Sequence, residues 1–204
     1  WLEGPLQARL AQDEVRAASA GVDTEYVFVQ AECIPEQYLD EVAWVSGLAA
    51  DLRVRGIVAG AHLDRGAEVS AHLDELERYP LVVGVRHLLQ NQPDGFAGTP
   101  EFRAGIAEVA ARDLTFDACV RAHQIPDVTA LAEAFPDLRM VLDHVGKPAI
   151  GTADAPLVPS AEWLRDITAL AAHPQVHVKL SGLPDQAGGS WSAEQVHPFL
   201  DAIA

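Results

Sequence analysis

One rhythm constrains this chain more than any single motif. A short apolar run ends in polar residues, an amphipathic stretch follows, and the pair recurs six times. The apolar runs cover residues 25–31, 54–61, 81–87, 114–121, 140–148 and 176–182. They are rich in β-branched and aromatic residues, as in Tyr26-Val27-Phe28-Val29, and so predict strands. Strict alternation of apolar strands with helices is the pattern of a parallel sheet covered by helices.

The intervening stretches carry helical periodicity and helical punctuation. Leu6, Leu10, Val15 and Ala18 fall on one face of a helix over 6–20, with Gly21 as its C-cap candidate. Helices are also predicted over 35–51 and over 67–78, the latter stopped by Pro80. Thr99 and Pro100 form an N-cap and N1 pair for a helix running to 112. Further helices cover 126–135 and 160–172. Ser192 with Gln195 makes a capping box for the last one. Residues 90–98, with Asn91, Pro93, Asp94 and Gly95, form the clearest loop. No linker or low-complexity tract divides the chain, so residues 1–204 are expected to be one domain.

A parallel sheet of six such units is either doubly wound or a barrel. No strand is followed by Gly-x-Gly-x-x-Gly, and no Walker-type loop occurs. Instead, polar residues gather at the ends of several strands: Arg86 and His87, Arg121 and His123, Asp143, His144 and Lys147, Lys179 and Ser181. Functional groups drawn from many strand ends point to a (β/α)₈ TIM barrel, here incomplete with about six βα units.

Composition bounds the partners. The formal net charge is -16, from 14 Lys+Arg against 30 Asp+Glu. That balance argues against nucleic acid or an anionic membrane as partner, and leaves a small molecule held by a few local cations. No run of about 18 apolar residues suggests a membrane span, and no secretory signal is visible. Cys33 and Cys119 read as two reduced, largely buried thiols of a cytoplasmic protein.

Lys179 fits a purely structural account least well. It lies between Val178 and Leu180 in an apolar strand and shares a face with His177 and Ser181. A lysine in that position needs a carboxylate or an anionic ligand, unless the strand is an edge open to water. Arg86 and His87 must point to opposite faces of their strand. His123 is equally well read as a loop histidine. His62, His72, His173 and His197 read as surface or packing residues. Neither His-x-His, His-Glu-x-x-His nor the nucleophile elbow Gly-x-Ser-x-Gly is present. The remaining chemistry is general acid/base work by His144, paired with Asp143, and anion or carbonyl binding by Arg and Lys.

Four pieces of the sequence carry a resemblance. They are Ala20-Gly21-Val22-Asp23 leading to Val27-Phe28-Val29-Gln30-Ala31, Val83-Gly84-Val85-Arg86-His87, Leu142-Asp143-His144-Val145-Gly146-Lys147-Pro148, and Val178-Lys179-Leu180-Ser181-Gly182. In this order the chain resembles the amidohydrolase-related TIM-barrel hydrolases of the fuconolactonase and pyrone-dicarboxylate lactonase group. The resemblance implies a hydrolase that opens a sugar lactone or related cyclic ester with an activated water. It implies His144 at the catalytic centre, beside that water or as ligand of one divalent metal such as zinc. Arg86, His87 and Lys179 would line the substrate pocket, with Arg121, His123, Lys147 and Ser181 as further substrate-binding candidates.

The sequence departs from the family pattern at both ends. The family's first strand bears His-x-His, and Trp1-Leu2 looks like the tail of the segment that follows it. The family's last strand bears a catalytic Asp, and neither strand occurs here. This polypeptide by itself is therefore expected to be inactive, as a fragment of a larger enzyme. Two other readings stand beside lactone hydrolysis: amide hydrolysis or decarboxylation on the same barrel, and a non-catalytic binding module that forms homo-oligomers through its open sheet edges. Loops 90–98, 150–160 and 183–191 would choose the substrate, and Trp191 is either a stacking platform or a packing residue.

Overall fold

The computed structural model of the protein describes residues 11–204. The expected helix over 6–20 lies partly outside that range, as does the Trp1-Leu2 segment. Its described part is α1, Gln12–Ala18. Six strands form one sheet: β1 (Tyr26–Val29), β2 (Val54–Gly60), β3 (Val82–Leu88), β4 (Thr115–Cys119), β5 (Met140–Leu142) and β8 (Val176–Val178). All neighbours are parallel, in the order β1-β2-β3-β4-β5-β8. Each strand thus pairs with the one before it, and the order never reverses. A doubly wound sheet requires such a reversal, so the choice left open by the sequence falls to the barrel.

Side-chain contacts across the concave face show the curl. Arg86 on β3 donates to the carbonyl of Gln30, just past β1, and to Asp143, just past β5. Four strand spacings on a flat sheet would separate β1 from β5 by about 19 Å. One guanidinium reaches both sides only because the sheet bends around it. The six strands form a curled part of a barrel wall, with β1 and β8 at its two edges.

The helices α2 (Tyr38–Leu52), α3 (Ser70–Leu76), α4 (Pro100–Ala111), α5 (Ile125–Ala134), α6 (Ala161–Ala171) and α7 (Ala193–Asp201) complete the layers. Their apolar sides meet the convex face of the sheet over Ile57, Val85, Phe116 and Met140, all fully buried. The caps expected from the sequence form. Thr99 accepts from Phe102 N–H, Ser160 from Trp163 N–H, and Ser192 and Gln195 bond each other reciprocally.

Several local expectations change; among them, the strand expected over 176–182 ends at Val178, so Lys179 stands just past it. The helix expected over 67–78 begins as a tight 3₁₀ segment, Leu63–Val69, kinked at Gly66 (φ 58°), and becomes α-helical only at Ser70. The loop after β5 holds a small antiparallel pair, β6 (Gly151–Thr152) with β7 (Ala155–Pro156). The strand expected over 140–148 ends at Leu142, and the chain then winds left-handed.

Candidate active site at the strand ends

That left-handed turn is the most unusual backbone feature among the described residues. His144, Val145, Gly146 and Lys147 have φ of 52°, 57°, 70° and 53°. Left-handed conformation costs roughly 1–2 kcal/mol for each non-glycine residue, and three of these four are non-glycine. A β-branched Val145 makes the position still less comfortable. The surroundings over-determine the turn. Lys147 N–H donates to His144 O at 2.9 Å. The indole Nε1–H of buried Trp163 donates to Val145 O at 3.1 Å. At Gly146 a β-carbon would stand 2.7 Å from Ile125 Cδ1, and that side chain would have to shift to admit it. Backbone strain held in this way concentrates at functional sites.

The turn begins with a fully buried carboxylate. Asp143 Oδ1 takes Lys179 Nζ at 2.7 Å, and Oδ2 takes Arg86 Nη1 at 3.0 Å. Lys179 also donates to Asp117 Oδ2, so one ammonium bridges two carboxylates. Burial pushes the Asp143 carboxyl up, but Lys179 and Arg86 outweigh it and hold Asp143 below the ordinary carboxylate range. Asp117 moves the other way. Burial dominates there, Lys179 opposes it, and the charge of Asp143 adds to the rise. Lys179 loses by burial and gains more from its two carboxylates, so its pKa is raised. Two of its three N–H donors are committed, and the third is available for a ligand. Arg86 Nε is buried with no partner among the described residues, and each of its bonded Nη atoms keeps a second N–H.

His144 sits beside this cluster, with Nδ1 2.9 Å from Ser181 Oγ. Burial, with Lys147, Lys179 and Arg86 assisting and Asp143 opposing, lowers its pKa. The ring is therefore neutral at neutral pH. Gly182 (φ 71°) makes room for it: a β-carbon there would lie 2.7 Å from the imidazole.

The sequence-predicted residues divide into three groups. Asp143, His144, Arg86, Lys179 and Ser181 come together as described. Lys147, Arg121 and His123 instead engage the loop after β3. Lys147 Nζ bonds Gln90 and lies 3.2 Å from Cys119 Sγ. Arg121 donates to Gln90 O and Asn91 Oδ1, and His123 faces Asp94 at 3.2 Å. His87 goes elsewhere. Strand alternation sends it to the helix side of β3, where it is buried against Phe96 and Phe102, opposite Arg86. Asp117 was not expected. Its signal was legible: a lone carboxylate inside Thr115-Phe116-Asp117-Ala118-Cys119 needs a cation for the reason that Lys179 needs an anion.

Among the described residues, no three ligand atoms close around His144, whose Nδ1 already faces Ser181. The one such group lies elsewhere: His62, Asp64 and His87 each offer an atom, all within 4.8 Å of one another. His62, expected to be a surface or packing residue, is thus drawn into a polar cluster.

Comparison with known proteins agrees with the barrel fold. The amidohydrolase family profile matches residues 5–204. The chain belongs to the amidohydrolase family. An L-fucono-1,5-lactonase of Burkholderia ambifaria is 35% identical over 140 residues, which is 68% of this amidohydrolase and 47% of that protein. The chain thus spans about half the length of the curated relatives it matches. A crystal structure of an amidohydrolase from Burkholderia multivorans with bound zinc aligns with TM-score 0.75 at 32% identity. The alignment covers 93% of this chain and 66% of that one. A probable 2-pyrone-4,6-dicarboxylic acid hydrolase from Acinetobacter baumannii shares the fold, with TM-score 0.69 at 16% identity, covering 96% and 70%. Among the described residues, no helix of the amidohydrolase is long and apolar enough to cross a membrane.

Proposed function

We infer that this amidohydrolase, as part of its full-length protein, opens a sugar lactone or a related cyclic ester by attack of an activated water. A 1,5-lactone of a six-carbon sugar acid, the substrate class named by its 35%-identical relatives, is the first candidate. The observation that carries this reading is the placement of His144, held on Ser181, next to the Asp143 carboxylate that gathers Lys179 and Arg86. A neutral imidazole can take a proton from water. The free donors of Lys179 and Arg86 can hold the lactone carbonyl and the oxyanion that develops on it. Water adds to the carbonyl carbon while His144 accepts its proton. The tetrahedral intermediate then expels the ring oxygen, and the same imidazolium returns the proton to that leaving oxygen. The product is the open hydroxy acid.

Asp143 orients both cations, and its own charge partly offsets theirs at His144. Asp117 holds Lys179 from its other side. Ser181 fixes the His144 ring. The described residues around His144 do not furnish a metal ligand set. One domain, a small-molecule partner and a cytoplasmic location complete the reading. The charge of -16 supports a partner other than nucleic acid.

The test is hydrolysis of a panel of aldonolactones by the full-length protein, followed by proton release and corrected for spontaneous opening. Turnover of at least one sugar lactone is expected. A folded full-length protein inactive on the whole panel would overturn the reading.

A further inference from the structure

We propose that His62, Asp64 and His87 bind a borderline divalent transition-metal ion, such as Zn²⁺ or Co²⁺, on the helix side of the sheet, opposite Arg86 across β3. The topology brings them together. Gly60 on β2 pairs with Arg86 on β3, so Ala61 and His62 leave the sheet beside His87. The tight segment Leu63–Val69 then returns Asp64 to the same point. His62 Nδ1 lies 3.4 Å from Asp64 Oδ1, and His87 Nδ1 lies 3.9 Å from the same oxygen. Donors on a tetrahedral Zn²⁺, each bonded at its usual length, stand roughly 3.4 Å apart. One separation already fits, a second requires a shift of about half an ångström, and the third, between the two rings, lies within 4.8 Å. Asp64 is the residue able to make it, since its side chain is 41% exposed on a turn.

The chemistry of each donor suits a metal. Imidazole and carboxylate are the ligand types that borderline ions accept. His87 is buried and neutral. Its Nδ1 accepts the Leu63 N–H at 3.2 Å, so that nitrogen is unprotonated and its lone pair is held by that bond. The metal would compete with this single long hydrogen bond. His62 is held by stacking on Tyr38, with ring centroids 5.7 Å apart, while its Nε2 is buried without a hydrogen-bond partner. A buried ring nitrogen with no partner leaves the tautomer of His62 free to follow a ligand.

A cavity of about 160 Å³ lies against His62, lined by Tyr38, Arg65 and His72 among others. Three protein ligands leave a fourth position for water. An ion there would pin the Leu63–Val69 segment to β3. That segment packs tightly on α4, where a β-carbon at Gly105 would stand 2.1 Å from Leu63 O. The expected role is to brace the loop after β2.

The experiment uses chelator-treated full-length protein titrated with Co²⁺ and, separately, Zn²⁺. Visible absorption reports Co²⁺ coordination, and thermal unfolding reports Zn²⁺. The expected result is an ion whose binding raises the melting temperature and is weakened at least about tenfold by His62→Ala and by Asp64→Asn, but not by His144→Ala. Circular dichroism establishes that the two variants remain folded; both residues are partly exposed, unlike His87. Absence of a bound ion, or an ion unaffected by both variants, would overturn the proposal. Lactone hydrolysis is measured separately, so the outcomes of the two proposals are independent.

Discussion

Lys179 Nζ lies 2.7 Å from Asp143 Oδ1, and this pair joins the last described strand of the sheet to the turn that carries His144. Asp143 has two cations and Asp117 only one. Their pKa values consequently move in opposite directions. Asp143→Asn leaves Lys179 and Arg86 short of a buried counter-charge and is expected to cost about 3–5 kcal/mol. Asp117→Asn removes the carboxylate that burial already disfavours and is expected to cost clearly less. Urea unfolding of the two variants checks the order; equal costs, or the reverse order, would contradict this assignment.

The same pair sets a pH window. Asp143 has a depressed folded pKa, so its contribution is present above the unfolded value of 3.8 and is lost as pH falls through the folded value. Lys179 has a raised folded pKa, so its contribution is full below the unfolded value of 10.5 and is lost as pH rises through the folded one. Stability from this pair should be flat between these limits and decline on both sides. In Lys179→Met the alkaline decline should shrink, measured as the urea midpoint against pH. An unchanged alkaline limb would show that Lys179 does not supply it.

Gly182 is expected to be intolerant of a side chain. Its φ of 71° and the 2.7 Å approach to the His144 ring both oppose Gly182→Ala. The variant should fold and lose about 100-fold or more in kcat/KM, because a displaced base is poorly aligned. Circular dichroism and steady-state kinetics on the full-length protein test this. Activity within a few fold of wild type would mean that the ring does not act from this position.

Trp163 braces the turn from behind. Trp163→Phe keeps most of the packing and removes the hydrogen bond to Val145 O. The loss should be about 1–2 kcal/mol in unfolding free energy, with kcat falling more than KM rises. A fall in stability alone, with kcat intact, would assign Trp163 to packing only.

The sheet was legible because apolar runs, caps and alternation are local signals. Lys179 was legible too, since an ammonium in an apolar strand demands a partner. Its partner Asp117 obeys the same rule and was overlooked because no motif surrounds it. The left-handed turn at His144–Lys147 could not be read. Gly146 hinted at it, but Val145 argues against positive φ, and only Trp163, Ile125 and the buried site make it tolerable. The His62 cluster depends on register between β2 and β3, which local pattern does not encode. Arg121 and His123 sit at a strand end as expected, yet their partners on the 90–98 loop are set by tertiary contact alone.

The central claim is that His144 activates water against a lactone held by Lys179 and Arg86. The most direct test compares hydrolysis of a sugar 1,5-lactone by the full-length protein and its His144→Ala variant at neutral pH, with spontaneous opening subtracted. The expected result is clear turnover by the wild type and a loss of about 10²–10⁴-fold in kcat/KM in the variant, the range for removing a general base. Equal rates in the two proteins would contradict it.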